Sequence, residues 1–251
     1  MLVGLCSLKS SPGVTTTALA LAGCWPAGAV MPTVVELDAR GGDVAWRYGL
    51  TADPGLRSLA AASRLRPDAS LLAGHARPVG GSAVPTLTAP VEPDAARQAV
   101  AALMPLLDTL RTLPDPVLLD LGAVDPKDPG AVDLLADLSA LLVVARTVPE
   151  QVARLNAAAP ELQRVCRDVK GLFIGNVGEP EVAAQSALPV AGVLPLIDPD
   201  AGLAARLMRR RRNKAFGAVA VRLAAELEVL TRRSDPNSVV AAGTRSSGVS
   251  R

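Results

Sequence analysis

Ser7-Leu8-Lys9-Ser10-Ser11-Pro12-Gly13-Val14-Thr15-Thr16-Thr17 is the stretch on which the fold turns. It closes an apolar run of strand length, Leu2–Leu8, and opens Thr15–Cys24, whose pattern predicts a helix stopped by Pro26. A loop of small residues between a strand and a helix N-terminus presents backbone N–H groups and the positive end of the helix dipole, and so favours an anion such as phosphate. Taken alone, the same residues also fit an ordinary strand–helix turn.

Outward from this loop, short apolar runs alternate with helical patterns along almost the whole chain. Strands are expected at Thr33–Leu37, Val84–Ala89, Val117–Leu121, Ala140–Ala145, Gly171–Val177 and Val190–Leu194. Helices are expected at Gly41–Tyr48, Leu56–Ala62, Asp94–Thr112, Ala131–Leu138, Pro149–Val165, Ala201–Met208 and Lys214–Arg232, and Arg64–Pro85 reads as irregular. The alternation predicts an α/β, doubly wound, mostly parallel sheet with helices on both faces, formed by one domain over residues 1–232. The remainder, 233–251, is rich in Ser, Gly, Asn and Arg, has little to bury, and is expected to be a disordered tail. Hydrophobic residues make up 49% of the 251 and aromatics 2%, so the core must be built from Leu, Val and Ala.

Bulk properties narrow the function classes. A net charge of +2 does not by itself imply nucleic-acid or membrane binding. Cys6, Cys24 and Cys166 are few and lie in apolar segments, as expected of buried thiols in a reducing compartment. Met1–Leu8 lacks a basic flank and reads as a strand, not a signal peptide. No stretch reaches the roughly 18 apolar residues of a bilayer span. A cytoplasmic location is expected.

The usual phosphate-binding loop is G-x-x-x-x-G-K-[ST]. Here Leu8 stands at the first Gly, Gly13 and Thr15 are kept, and Val14 stands at the Lys. Lys9-Ser10-Ser11-Pro12-Gly13-Val14-Thr15 resembles the deviant Walker A loop, K-G-G-x-G-K-[ST], of the ParA/MinD family of P-loop ATPases, with Lys9 on the family's signature lysine. Further segments follow in that family's order. Val34–Asp38 ends in Glu-x-Asp, Val117–Gly122 resembles the Walker B strand, Gly171–Asn176 resembles a late strand whose Asn contacts adenine, and Val190–Pro195 resembles the family's "GvlP" strand. The resemblance covers about residues 1–230.

It implies ATP and Mg2+ as cofactors and a role for each matching residue. Lys9, Ser10, Ser11, Gly13, Val14, Thr15 and Thr16 would form the nucleotide loop, with Asn176 and Pro195 near the base. Thr15, Asp38 and Asp120 would hold the metal, Asp38 orienting the attacking water, and Lys9 would reach a partner's phosphates across a homodimer. Bland readings stand beside these: Asp120 as a helix cap, Asp38 as a turn residue before Gly41-Gly42, Asn176 as a turn former and Lys9 as a solvated lysine. Val14 departs from the family. It supplies neither the charge nor the donor that stabilises phosphoryl transfer, so hydrolysis is expected to be weak or absent. Arg40, two residues after Asp38, is a candidate for compensating charge.

Three other features stand out. Arg209-Arg210-Arg211-Arg212 is a cluster through which ParA-like proteins would contact DNA non-specifically; a solvated helix junction is the alternative. Phe216, Val219, Leu223, Leu227 and Leu230 form an apolar stripe, read as core rather than as a membrane anchor. His75, the single histidine, reads as a surface loop residue.

The function implied is a nucleotide-responsive positioning or scaffold protein that dimerises across its phosphate loops and recruits a protein partner. An active ParA-type ATPase in chromosome or plasmid partitioning is one alternative. A pilus or secretion-system localisation factor resembling the TadZ/CpaE group is another.

Overall fold

The computed structural model describes residues 1–9, 12–51, 53–65, 68, 70–175, 180–195 and 211–234, with only the backbone described at 180, 182, 211–215 and 231–234. The first strand, β1 (Leu2–Ser7), leads through the opening loop into α1 (Val14–Gly23). Then come β2 (Thr33–Glu36), α2 (Val44–Arg47), α3 (Leu56–Leu65), α4 (Leu71–His75), β3 (Arg77–Val79), β4 (Val84–Leu87) and α5 (Pro93–Arg111). The second half supplies β5 (Val117–Ala123), α6 (Pro129–Ala136), β6 (Ala140–Arg146), α7 (Pro149–Val165), β7 (Val169–Gly175), α8 (Pro180–Ala184), β8 (Val190–Pro195) and α9 (Arg211–Ser234).

These strands form one eight-stranded sheet in the order β3-β4-β2-β5-β1-β6-β7-β8. Every pairing is parallel except β3 with β4. Consecutive residues of a strand face opposite sides, and the central strands are apolar on both. Leu2, Cys6, Val35, Leu119, Leu141, Val143 and Phe173 pack under α3, α5, α6 and α7. Val3, Leu5, Val34, Leu118, Leu142, Val144, Leu172 and Ile174 pack on the other face under α1 and α9. Two buried layers on one sheet give the doubly wound fold expected from continuous apolar strands.

The last helix settles the reading of its apolar stripe. Phe216, Ala220, Leu223, Ala224 and Leu227 are buried against β8 and α1, and Leu230 packs at the margin. No helix among the described residues is long and apolar enough to cross a membrane. Cys6 and Cys166 are buried free thiols and Cys24 is half-buried. Burial pushes the Cys6 thiol up to about 12, so it stays protonated.

Two elements arise where Arg64–Pro85 was expected to be irregular. α4 is five residues long, too short to display a 3.6-residue period, and β3 is a three-residue edge strand containing Pro78. An edge is where a sheet tolerates a residue without an N–H. α8 was likewise not anticipated. The expected helix Ala201–Met208, Asn176–Val177 and the tail from 235 onward lie outside the described residues.

Phe216 is 2% exposed and joins α9 to the α1 face of the core. Phe216→Ala is expected to lower the unfolding free energy by about 3–5 kcal/mol in urea titrations. A loss below about 1 kcal/mol would show that α9 does not depend on this packing.

Candidate functional site

The parallel strands end together along one edge of the sheet, and the loops leaving β1, β2 and β5 meet there. Gly13 closes the β1–α1 loop with φ 106°, a left-handed conformation open to glycine but strained for a side chain. It stands at the N-cap of α1, and among the described residues no side chain caps the N–H groups of the first turn. The turn is held by Thr17, whose amide and hydroxyl both donate to the Gly13 carbonyl, at 2.9 and 2.8 Å. Beside this turn opens a small solvent-open cavity of about 50 Å³, lined by Gly13, Thr15, Thr16, Asp38, Arg40 and Arg47 among others.

Asp120 sits on β5, in register between Leu5 of β1 and Glu36 of β2, and is fully buried. Its Oδ1 accepts from the Gly122 amide at 3.2 Å, while Oδ2 has no hydrogen-bond partner among the described residues. Burial pushes its pKa up to about 6; the Thr15 hydroxyl pulls the other way, and Asp38 and Asp43 add to the rise. It caps no helix.

Glu36, on the neighbouring strand, is also buried but fully engaged. Its Oε1 accepts from the Asp43 and Val44 amides at 2.7 and 3.1 Å, and its Oε2 from the Ala89 amide at 2.9 Å. Burial still lifts its pKa to about 7, against these three donors and helped by Asp120.

Asp38 lines the cavity, and its contacts are those of a turn residue. It caps a turn, accepting from the Arg40 amide at 2.9 Å, and it receives the Arg40 guanidinium in a fork with both contacts at 3.2 Å. A Cβ at Gly122 would run into the Asp38 carboxylate, so these two loops pack without room between them.

The structure thus gathers Gly13, Thr15, Thr16, Asp38 and Arg40 at one cavity, with Asp120 buried behind Thr15. Val14 touches the cavity, but its side chain is 4% exposed and belongs to the apolar layer with Val3, Leu5 and Ile174. Lys9 is exposed and lies outside this cavity, along a separate cleft with Gln151 and Arg154. Pro195 ends β8, three strands from β1, or about 14 Å at ~4.8 Å per strand. Ser10, Ser11, Asn176, Arg209 and Arg210 lie outside the described residues, and only the backbone of Arg211 and Arg212 is described, at the start of α9.

Sequence reasoning missed Asp43 and Arg47, which also line the cavity. The Arg47 Nη1 donates to the Thr16 hydroxyl at 3.3 Å. The available signal was the pair Gly41-Gly42 just after the Glu-x-Asp strand end, which lets the following residues fold back over the loop.

An ionised Asp120 opposes folding because part of it is desolvated without a partner. Its folded pKa lies above the unfolded value, so the folded state binds the extra proton and stability from this group falls as pH rises through about 6. In buffer with a metal chelator, Asp120→Asn should therefore raise the melting temperature at pH 7.5 by about 3 °C or more. The gain should vanish near pH 4, and a destabilised variant at pH 7.5 would contradict this electrostatic account.

No family model matches the chain, and no curated protein matches it. Solved structures do. A ParA family ATPase from Chlorobium tepidum TLS aligns with TM-score 0.67 at 17% identity, covering 89% of this chain and 98% of that one. The cell division ATPase MinD of Pyrococcus furiosus gives TM-score 0.67 at 18% identity, covering 91% and 98%. The septum site-determining protein MinD of Pyrococcus horikoshii OT3, complexed with Mg-ADP, gives 0.66 at 14%, covering 94% and 98%. Sheet order, the strand–loop–helix at Gly13 and these likenesses agree that the chain has the ParA/MinD-like P-loop fold.

Proposed function

We propose that this chain is a nucleotide-responsive positioning or scaffold protein of the ParA/MinD type that binds Mg-ATP at the Gly13 cavity and turns it over slowly or not at all. The observation that carries the reading is the Asp120 Oδ2. A fully buried carboxylate oxygen that makes no hydrogen bond among the described residues, beside the Thr15 hydroxyl, is suited to ligate a cation. Among the described residues no three His, Cys, Asp or Glu side chains group as a protein-only metal site. That fits Mg2+, which keeps waters and takes one or two carboxylates together with phosphate oxygens.

In this reading the open N–H groups of the first α1 turn receive the phosphates, and Thr15 and Asp120 hold the metal shell. When bound, Mg2+ would neutralise phosphate charge and polarise the phosphoryl group. Asp38, at the cavity, would hold a water, with Arg40 fixing its carboxylate. Val14 supplies no charge, and because its side chain is part of the core it has no polar surface to offer. Slow turnover follows from that loss. In this reading Lys9, exposed and outside the cavity of its own chain, serves the site of a second copy in a homodimer across the loops. The partner recruited by such a dimer would belong to partitioning or to pilus or secretion machinery.

Calorimetry with Mg-ATP tests the reading directly. Saturable binding is expected at or below millimolar ATP and is lost on adding a chelator. Phosphate release measured alongside should be barely above background. Absence of binding at millimolar Mg-ATP would leave a scaffold that does not sense nucleotide, and rapid turnover abolished by Asp38→Ala would overturn the slow-hydrolysis part.

A further inference from the structure

Two arginines line the Gly13 cavity, and their partners differ. The Arg40 guanidinium is forked on the Asp38 carboxylate, so its charge is already neutralised. Among the described residues, Arg47 pairs with no carboxylate. Its side-chain partner is the Thr16 hydroxyl in the first turn of α1, two residues beyond Val14. A cation held by a neutral hydroxyl beside open N–H groups keeps its charge available to an anion.

Arg47 is carried there by a short connection that is fixed at several points. The Glu36 carboxylate accepts from Asp43 and Val44, which begin α2, and from Ala89 in the loop after β4. The Gly42 amide donates to the Pro90 carbonyl at 2.8 Å. A Cβ at Gly42 would lie 2.5 Å from the Glu36 Oε2 and 2.6 Å from the Ala89 carbonyl oxygen, so the loop is seated on the carboxylate with no slack. One helical turn later the Arg47 amide donates to the Asp43 carbonyl at 2.9 Å. Glu36 therefore sets where α2 starts, and α2 sets where the Arg47 guanidinium ends.

We propose that Arg47 supplies, from α2, the positive charge that Val14 does not supply from α1, contacting the terminal phosphate of a bound nucleoside triphosphate, and that Glu36 is the positioning residue that holds it there. The inference rests on the nucleotide reading above and adds to it a discriminator between triphosphate and diphosphate. The diphosphate lacks the group that Arg47 would contact, so the residue acts on the difference in affinity between the two.

The test is calorimetric titration of the full chain with Mg-ATP and Mg-ADP, for wild type, Arg47→Ala, Arg47→Lys and Glu36→Gln. Arg47→Ala should weaken Mg-ATP by about tenfold or more while leaving Mg-ADP within about threefold. Arg47→Lys should recover part of the loss. Glu36→Gln, which cannot accept from all three amides, should lose the same ATP-over-ADP preference and add nothing further in combination with Arg47→Ala. A merely structural role for Glu36 would weaken both nucleotides equally. Should Glu36→Gln fail to fold, Gly42→Ala, which presses on the same carboxylate, carries the same comparison. Wild type that binds neither nucleotide sinks the functional reading and this proposal together. Wild type that binds Mg-ATP while Arg47→Ala binds it equally well overturns the proposal alone.

Discussion

Glu36 and Asp120 stand side by side on adjacent parallel strands, both carboxylates buried, and the architecture of the whole loop edge follows from how each is satisfied. A buried carboxylate without partners is strongly disfavoured. Glu36 meets that demand with three backbone amides drawn from two loops. In doing so it ties the β2–α2 connection to the loop after β4. Asp120 meets less of it: Oδ1 accepts from the Gly122 amide, the Thr15 hydroxyl lies close enough to favour the charged form, and Oδ2 makes no hydrogen bond of normal geometry among the described residues. One carboxylate thus builds the rim of the cavity and the other is left unsatisfied behind Thr15. Binding a cation there would recover stability that the free protein forgoes.

Val14 divides the consequences of that arrangement. As part of the apolar layer with Val3 and Leu5 it fastens the start of α1 to the sheet. That preserves the Gly13 turn and its uncapped N–H groups. Valine at this position carries no group that could meet charge developing in phosphoryl transfer. Under the proposed function, phosphate-binding geometry and catalytic charge would come from different segments. The cations present arrive from the β2–α2 segment instead.

Much of this was legible in the sequence because the signals were local. Continuous apolar runs at Leu2–Leu8, Val117–Leu121 and Ala140–Ala145 have only one common explanation, a parallel sheet buried on both faces. Gly13 and Thr15 announced the strand–loop–helix turn, and Asp38 lay just past a strand end where such a sheet gathers its loops, whereas Asp120 proved to lie within β5, which runs on to Ala123. What escaped was non-local or too short. Arg47 reaches Thr16 across 31 positions, and nothing in either segment marks the pairing. Glu36 read as part of a Glu-x-Asp strand end, whereas its role is set by amides from Asp43, Val44 and Ala89. β3, with three residues and a proline, carries no period to read.

The central claim is that a Mg-nucleotide occupies the Gly13 cavity and is contacted by both the α1 turn and the β2–α2 segment. Hydrogen–deuterium exchange of the full chain with and without Mg-ATP tests it at the residues concerned. The account predicts slowed exchange confined chiefly to amides of 13–17 and 39–47, with the helix at 211–234 unchanged. Unchanged exchange at both segments, or protection appearing only elsewhere, would contradict it.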